Sequence, residues 1–393
     1  MTCPPADPPA AAAGHALAVS FSTPAALPAT GSALFLLTEQ VVSACRNLLA
    51  DQGADDVSEQ GSELSHQRGK RRKRRALLAG GAVATVAALA GGLITYALAS
   101  ERAPGQDRDR LSVVTTTNFL DDTVRQIGGD DIETVRLMGP GVDPHLYQAR
   151  SSDLEAMRSA DAIVAVGLFL EGSLQQTFDE LSSDKPVIFA GEQLDEDVLL
   201  APEADAPEGT EFDPHIWLDP RLWAEVVTAV GDELGELDPE RAGDYTERAA
   251  EYRQDVLALH EEITATLATV PDAHRTLVTS HDAFRYFGRA YDIDVAAIQG
   301  ISTEEEATTS DVSRVADIVV DTGVPAVFME SSVPSNTLDA VIAAAGQQGH
   351  DVRIGAELYG DAAGDDGTKE GTYIGMLRAN AERIADGLTG NGG

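Results

Sequence analysis

From residue 111 onward, short apolar runs alternate with segments whose apolar positions recur every three or four residues. Residues 111–117 read as a strand, 119–127 as a helix closed by Gly128 and Gly129, 135–138 as a strand, 152–159 as a helix and 162–166 as a buried strand. A helix over 170–181 and a strand over 186–190 continue the series. This rhythm predicts a parallel sheet with crossover helices. An acidic loop at 192–211 and a helix at 221–234 follow, and then Pro239 opens one helical pattern that runs to about residue 270. Its apolar positions (Tyr245, Ala249, Tyr252, Val256, Leu259, Ile263, Leu267) form a single stripe, longer than that of a typical globular helix. The second half repeats the alternation, with strands at 276–279, 295–298, 326–329 and 351–354 and helices at 283–291, 309–322, 335–347 and 372–388. The expected fold class is α/β: two Rossmann-like αβ lobes, 111–238 and 271–393, joined by a single linking helix over 239–270.

The first hundred residues break this pattern. Residues 1–67 are rich in Ala, Pro, Ser and Asp and lack periodicity, which reads as a disordered extension or as the product of a start codon assigned too far upstream. A basic run from Arg68 to Arg75 then meets an uncharged stretch, 76–99, that ends in Ala97-Leu98-Ala99. A basic flank before an apolar stretch is the layout of an export signal or a membrane anchor, here assigned to 68–100. The stretch is long for a cleaved signal and just long enough to span a bilayer, so both readings stand. No cysteine follows it, which argues against a lipid-modified one; residues 101–110 are a polar linker.

Charge narrows the class of partner. With 65 Asp and Glu against 28 Lys and Arg in 393 residues, the net charge is −37, and nucleic acid phosphates would be repelled. The only cysteines, Cys3 and Cys45, precede the patterned region. A metal site must therefore draw on His, Asp and Glu.

Two of the eight histidines sit in near-copies of one hexapeptide: Val142-Asp143-Pro144-His145-Leu146-Tyr147 and Phe212-Asp213-Pro214-His215-Ile216-Trp217. A lone histidine in such surroundings is usually a satisfied core residue, but the same unusual context twice points to one shared site. The proline fixes the backbone, the aspartate can accept the ring N–H that a metal does not use, and the aromatic can exclude water. His281 follows the strand at 276–279, where open αβ sheets bind ligands. Asp361 follows the last strand at the equivalent edge. Together the four make an N3O set suited to Zn²⁺ and, less comfortably, to Mn²⁺. Glu330 at a strand end reads first as a structural hydrogen-bonding residue and second as a neighbour of the site. Glu171 reads as a packing or capping residue, and His260, His274 and His350 as surface or core residues.

These motifs, with Thr279-Ser280-His281-Asp282-Ala283-Phe284, Gln299-Gly300-Ile301-Ser302 and Phe328-Met329-Glu330, make the chain resemble the zinc/manganese solute-binding proteins of ABC importers over about 111–388. The resemblance implies two αβ lobes on one long helix with a metal between them, and His145, His215, His281 and Asp361 as its ligands. It further implies a monomer that hands Zn²⁺ or Mn²⁺ to a membrane permease outside the cytoplasm, and no enzymatic activity. Manganese-preferring members often carry Glu at the third position, so His281 leans toward zinc. Two departures stand out: the acidic loop lacks histidine, and the lipid-anchoring cysteine of many members is missing. The competing readings are a zinc hydrolase, which would keep one coordination position open for water, and a binder of a chelated organic or iron ligand, which would not need three histidines at one point. Export predicts that fractionation finds the folded chain outside the cytoplasm; full-length chain in the cytosol would contradict it.

Overall fold

Val113 and Val114 are neighbours on the first strand, and the pleat sends them to opposite faces of a sheet. The computed structural model describes residues 110–390 apart from 203–205, 208 and 335; the expectations for the N-terminal extension, the signal or anchor and most of the linker lie outside the described residues. Strand β1 (Leu111–Thr115) pairs in parallel with β2 (Ile132–Arg136) and β3 (Ala162–Ala165), and β3 pairs with β4 (Val187–Phe189), giving the order β2-β1-β3-β4. Val113 and Val164 belong to the main core, whereas Val114, Ile163 and Ala165 join a smaller cluster with Met157, Leu174 and Phe178. Both faces are buried at β3, which explains why it reads as a continuous apolar run, whereas the edge strand β2 alternates. Helices α1 (Asn118–Gly128), α2 (Ser151–Ser159) and α3 (Gln175–Ser182) make the connections.

The second half pairs its strands two by two, again in parallel. Strand β5 (Thr276–Thr279) pairs with β6 (Asp294–Ala297), and β7 (Ala326–Val327) with β8 (Arg353–Ile354). The Phe328 N–H donates to the Val278 carbonyl at 2.8 Å and sets β7 beside β5. Helices α6 (Arg285–Tyr291), α7 (Thr309–Thr322) and α8 (Asn336–Gln347) intervene, and α9 (Tyr373–Leu388) closes the chain. The expected strand at 135–138 starts earlier, at Ile132, because Ile132 fills the main core. The helix expected from residue 283 starts at Arg285, after a turn that carries His281 inward.

Helix α4 (Pro220–Leu237) begins with Asp219 accepting the Arg221 N–H at 3.0 Å and with proline in its first turn, where a missing N–H is harmless. A break at 238–241 leads into α5 (Ala242–Leu267), 26 residues without interruption. All seven positions of the sequence stripe are its buried residues. The helix packs against α4 and α1 of the first half and α9 of the second. Arg248 on α5 donates to the carbonyls of Ile127 and Gly128 at 2.6 and 3.0 Å, serving the free carbonyls at the end of α1. Farther along α5, Glu262 takes both arms of Arg378 from α9 at 2.7 and 2.8 Å. One apolar core thus runs from β1 through α5 to Leu388. Among the described residues, no helix is long and apolar enough to cross a membrane.

A continuous helix buried along one stripe resists bending better than a loop hinge. Scattering curves with and without metal should therefore be nearly superimposable, and a change as large as wide hinge closure would refute this. The seam between α4 and α5 depends on Gly231, where an added Cβ would meet the Ala249 Cβ at 2.7 Å. Gly231→Val should destabilise the protein by about 1–3 kcal/mol, read as a lowered thermal midpoint; an unchanged midpoint would mean that the two helices slide apart freely.

Candidate metal centre

Four side chains from four separate loops meet where the two halves face each other. His145 follows β2, His215 opens a short 3-10 turn at Ile216–Leu218, His281 follows β5, and Asp361 lies beyond β8. One ligand atom from each lies within 4.8 Å of the others. Nε2 of His281, His215 and His145 stand 3.2, 3.5 and 3.9 Å from the Asp361 carboxylate oxygens. All four residues are buried, His145 being the most open at 5%. The three Nε2 atoms and both Asp361 oxygens have no hydrogen-bond partner. Buried polar atoms are rarely left so, and these all face one point, as a metal ion would require.

The hexapeptides serve their histidines differently. In the second, Asp213 Oδ1 accepts the His215 backbone N–H at 3.0 Å and lies 2.8 Å from ring Nδ1, which leaves Nε2 facing the centre. Arg285 reaches the other oxygen at 3.3 Å. In the first, Asp143 Oδ1 accepts the His145 backbone N–H at 2.9 Å, and Oδ2 accepts the Thr303 hydroxyl at 2.6 Å. Here the expected hold on the ring gives way to a hold on the loop. The aromatics diverge too. Trp217 stacks on Phe119 with centroids 4.7 Å apart and lies against His215, so it does shield the centre. Tyr147 turns away and donates to Asp153 on α2 at 2.7 Å.

Asp361 comes from the second half, yet its loop is fastened to the first. Trp217 Nε1 donates to the Gly360 carbonyl at 2.9 Å, and Asn118 holds both the N–H and the carbonyl of Ala363, at 2.8 and 2.9 Å. Arg136 grips Asp366 with two bonds of 2.8 Å. On the other flank, Asn380 pairs with the Tyr359 backbone at 2.9 and 2.8 Å.

Two groups carry more than their sequence context indicated. Glu330, 2% exposed, accepts the His281 backbone N–H at 2.9 Å and lies 2.8 Å from its Nδ1. Asn118 is the first residue of an ordinary helix, and nothing in its context marks the strap it makes. Glu171 is structural as read: it accepts from Thr116 and from the Val166 and Gly167 N–H groups at 2.6, 2.9 and 3.1 Å. His260, His274 and His350 bond Tyr291, Leu388 and Val324 away from the centre.

The charges follow from burial and neighbours. Burial holds the His145 imidazole down to about 3, so it stays neutral. Burial acts in the same direction on His215, but Asp213 and Asp361 outweigh it and raise the ring to about 9. His281 overcomes its burial through Asp361 and Glu330 and lies well above the ordinary imidazole value. Burial would raise the Asp361 carboxyl, yet His281 and His215 hold it well below the usual range.

The periplasmic zinc-uptake complex component A family, ZnuA, has a model that matches residues 113–387, a span that contains all four converging side chains. The chain belongs to this family. Similar to it is the zinc-binding protein TroA of Treponema pallidum, 40% identical over 276 residues, covering 70% of this chain and 88% of that protein. The solved structure of the TroA periplasmic zinc-binding protein aligns with a TM-score of 0.68 at 39% identity, covering 71% of this chain and 99% of that one. The manganese-binding lipoprotein MntA of Bacillus subtilis is 38% identical over 285 residues, or 72% of this chain and 92% of its own. ZnuA-family membership fixes the α/β, two-lobed architecture, and zinc-named and manganese-named relatives stand equally near.

The N3O set should bind Zn²⁺ more tightly than Mn²⁺, because affinity at nitrogen-rich sites rises across the divalent series toward copper and zinc. Four residues sharing the ~10–16 kcal/mol typical of structural zinc would contribute about 3 kcal/mol each. Asp361→Ala should therefore weaken both metals by about two orders of magnitude, and His281→Glu should narrow the gap between them. Competition titrations decide this: manganese preference in the wild type, or an unchanged ratio in His281→Glu, would refute the argument.

Proposed function

We propose that this protein is the extracytoplasmic solute-binding subunit of an ABC-type importer. It captures a divalent transition metal, Zn²⁺ in preference to Mn²⁺, between lobes spanning about 111–238 and 271–393, and passes it as a monomer to a membrane permease. His145, His215, His281 and Asp361 are the ligands, and the segment at 68–100 exports or anchors the chain. The observation that carries this reading is the convergence of three unpartnered Nε2 atoms and two unpartnered carboxylate oxygens in a buried centre. The PsaA proteins of Streptococcus pneumoniae and Streptococcus mitis, two similar relatives, bear the name manganese ABC transporter substrate-binding lipoprotein, which supports the transport role. Four protein ligands fill a tetrahedral zinc site and leave no position for a reacting water, so the protein acts as a carrier of the ion without turning over a substrate.

The ion enters as cargo in exchange for protons. Near pH 7 the metal-free protein holds His215 and His281 protonated and His145 neutral, given their positions at about 9, well above normal and about 3. Zinc binding should then release close to two protons, measurable by calorimetry in buffers of different ionisation enthalpy, and affinity should fall steeply as the solution is acidified. Release near zero would mean that His215 and His281 are already neutral in the metal-free protein. The raised histidines stabilise the metal-free fold fully below the free imidazole value of ~6.5. That contribution is lost as pH climbs through about 9, so the thermal midpoint of metal-free protein should drop over that interval.

A further inference from the structure

His281 presents two hydrogen-bond donors on one side when Nε2 faces the centre: its backbone N–H and its ring Nδ1–H. A single carboxylate stands opposite both. Glu330 Oε1 accepts the backbone N–H at 2.9 Å, and Oε2 lies 2.8 Å from Nδ1. The carboxylate is itself fixed. Residue 330 bridges in parallel to Leu358, with the Leu358 N–H donating to the Met329 carbonyl at 2.8 Å and the Ser331 N–H donating to the Leu358 carbonyl at 2.9 Å. Gly360 leaves the room it needs, since a Cβ there would overlap Oε2. The same device recurs at His215, where Asp213 Oδ1 serves both backbone N–H and ring Nδ1.

We propose that Glu330 is a positioning residue for His281: its two oxygens hold the backbone N–H and the ring Nδ1–H together, keep the ring proton on Nδ1 and present the Nε2 lone pair to the metal. The proposal rests on the metal-capture reading above. The chemistry is restrictive, because two donors need two acceptors. Glutamine offers one acceptor and one donor. In one orientation its amide N–H meets the backbone N–H of His281; in the other it donates to Nδ1, moves the ring proton to Nε2 and masks the ligand atom. Aspartate keeps both acceptors but withdraws them by one methylene, and cannot span both groups.

The test is a double-mutant cycle on the full chain, with zinc affinity measured by chelator competition. Glu330→Gln and Glu330→Asp are each made in the wild-type and His281→Ala backgrounds. Glu330→Gln should weaken zinc by about 10–100-fold, Glu330→Asp less, and both effects should nearly vanish once His281 is gone. The visible spectrum of cobalt-loaded Glu330→Gln should change in band position and intensity. If Glu330 only supports packing, its loss weakens zinc equally in both backgrounds and leaves the cobalt spectrum intact, which overturns the proposal. Should Glu330→Gln fail to fold, the aspartate cycle decides in the same way. Tight zinc binding by wild type and Glu330→Gln alike sinks the Glu330 assignment alone, whereas wild-type protein that binds no zinc sinks the metal-capture reading with it.

Discussion

One buried carboxylate sets the terms for the rest of the structure. Asp361 is 1% exposed and faces three imidazole Nε2 atoms at 3.2, 3.5 and 3.9 Å. An anion removed from water this far demands a cation beside it. His215 and His281, both raised by neighbouring carboxylates, meet that demand with their protons, and a bound divalent ion would meet it in their place. The centre is therefore compensated in both conditions, and its walls need not collapse or open to restore the balance. His145, held neutral by burial and by the charges of His215 and His281 against the pull of Asp361, would add a ligand without adding a competing proton.

The scaffold serves that one group. Its loop arrives from the second half of the chain, but Trp217, Asn118 and Arg136 of the first half hold it at Gly360, Ala363 and Asp366. Trp217 does this while stacking on Phe119, so the packing of the first sheet's helix and the placement of the carboxylate are one arrangement. Helix α5 fixes the separation of the halves through a buried stripe and two arginine clamps. The acidic surface, with a net charge of −37, lowers the electrostatic potential around this centre and favours the approach of cations.

What could be read from the sequence is what depends on local periodicity. The stripe from Tyr245 to Leu267 maps residue for residue onto the buried face of α5, because a helix repeats its environment every three or four positions. His145 and His215 stood out because an unusual hexapeptide occurs twice. Its two copies nevertheless do different work. Thr303, 160 residues away from Asp143, donates to its Oδ2, and no local pattern announces that partner. Asn118 and Ala363 are 245 residues apart, and Glu330 meets His281 across 49. Such pairings are set by how the sheets stack, which propensity and spacing do not encode. Asp361 was visible only in company: as a loop aspartate it looks like any turn residue.

The strap from Asn118 to Ala363 also says something about time. Closing a flexible loop of 245 residues carries an entropy penalty of roughly 5 kcal/mol, so the contact forms only when the intervening chain is already organised. A chain still emerging from the ribosome can contain His145, His215 and His281 while the carboxylate that completes the set has not yet been synthesised. Three histidines without it would make an incomplete set. High affinity for a cation at this centre would therefore switch on late in folding, after the loop that carries Asp361 has docked, and a nascent chain would be poorly equipped to sequester metal from the compartment in which it is made.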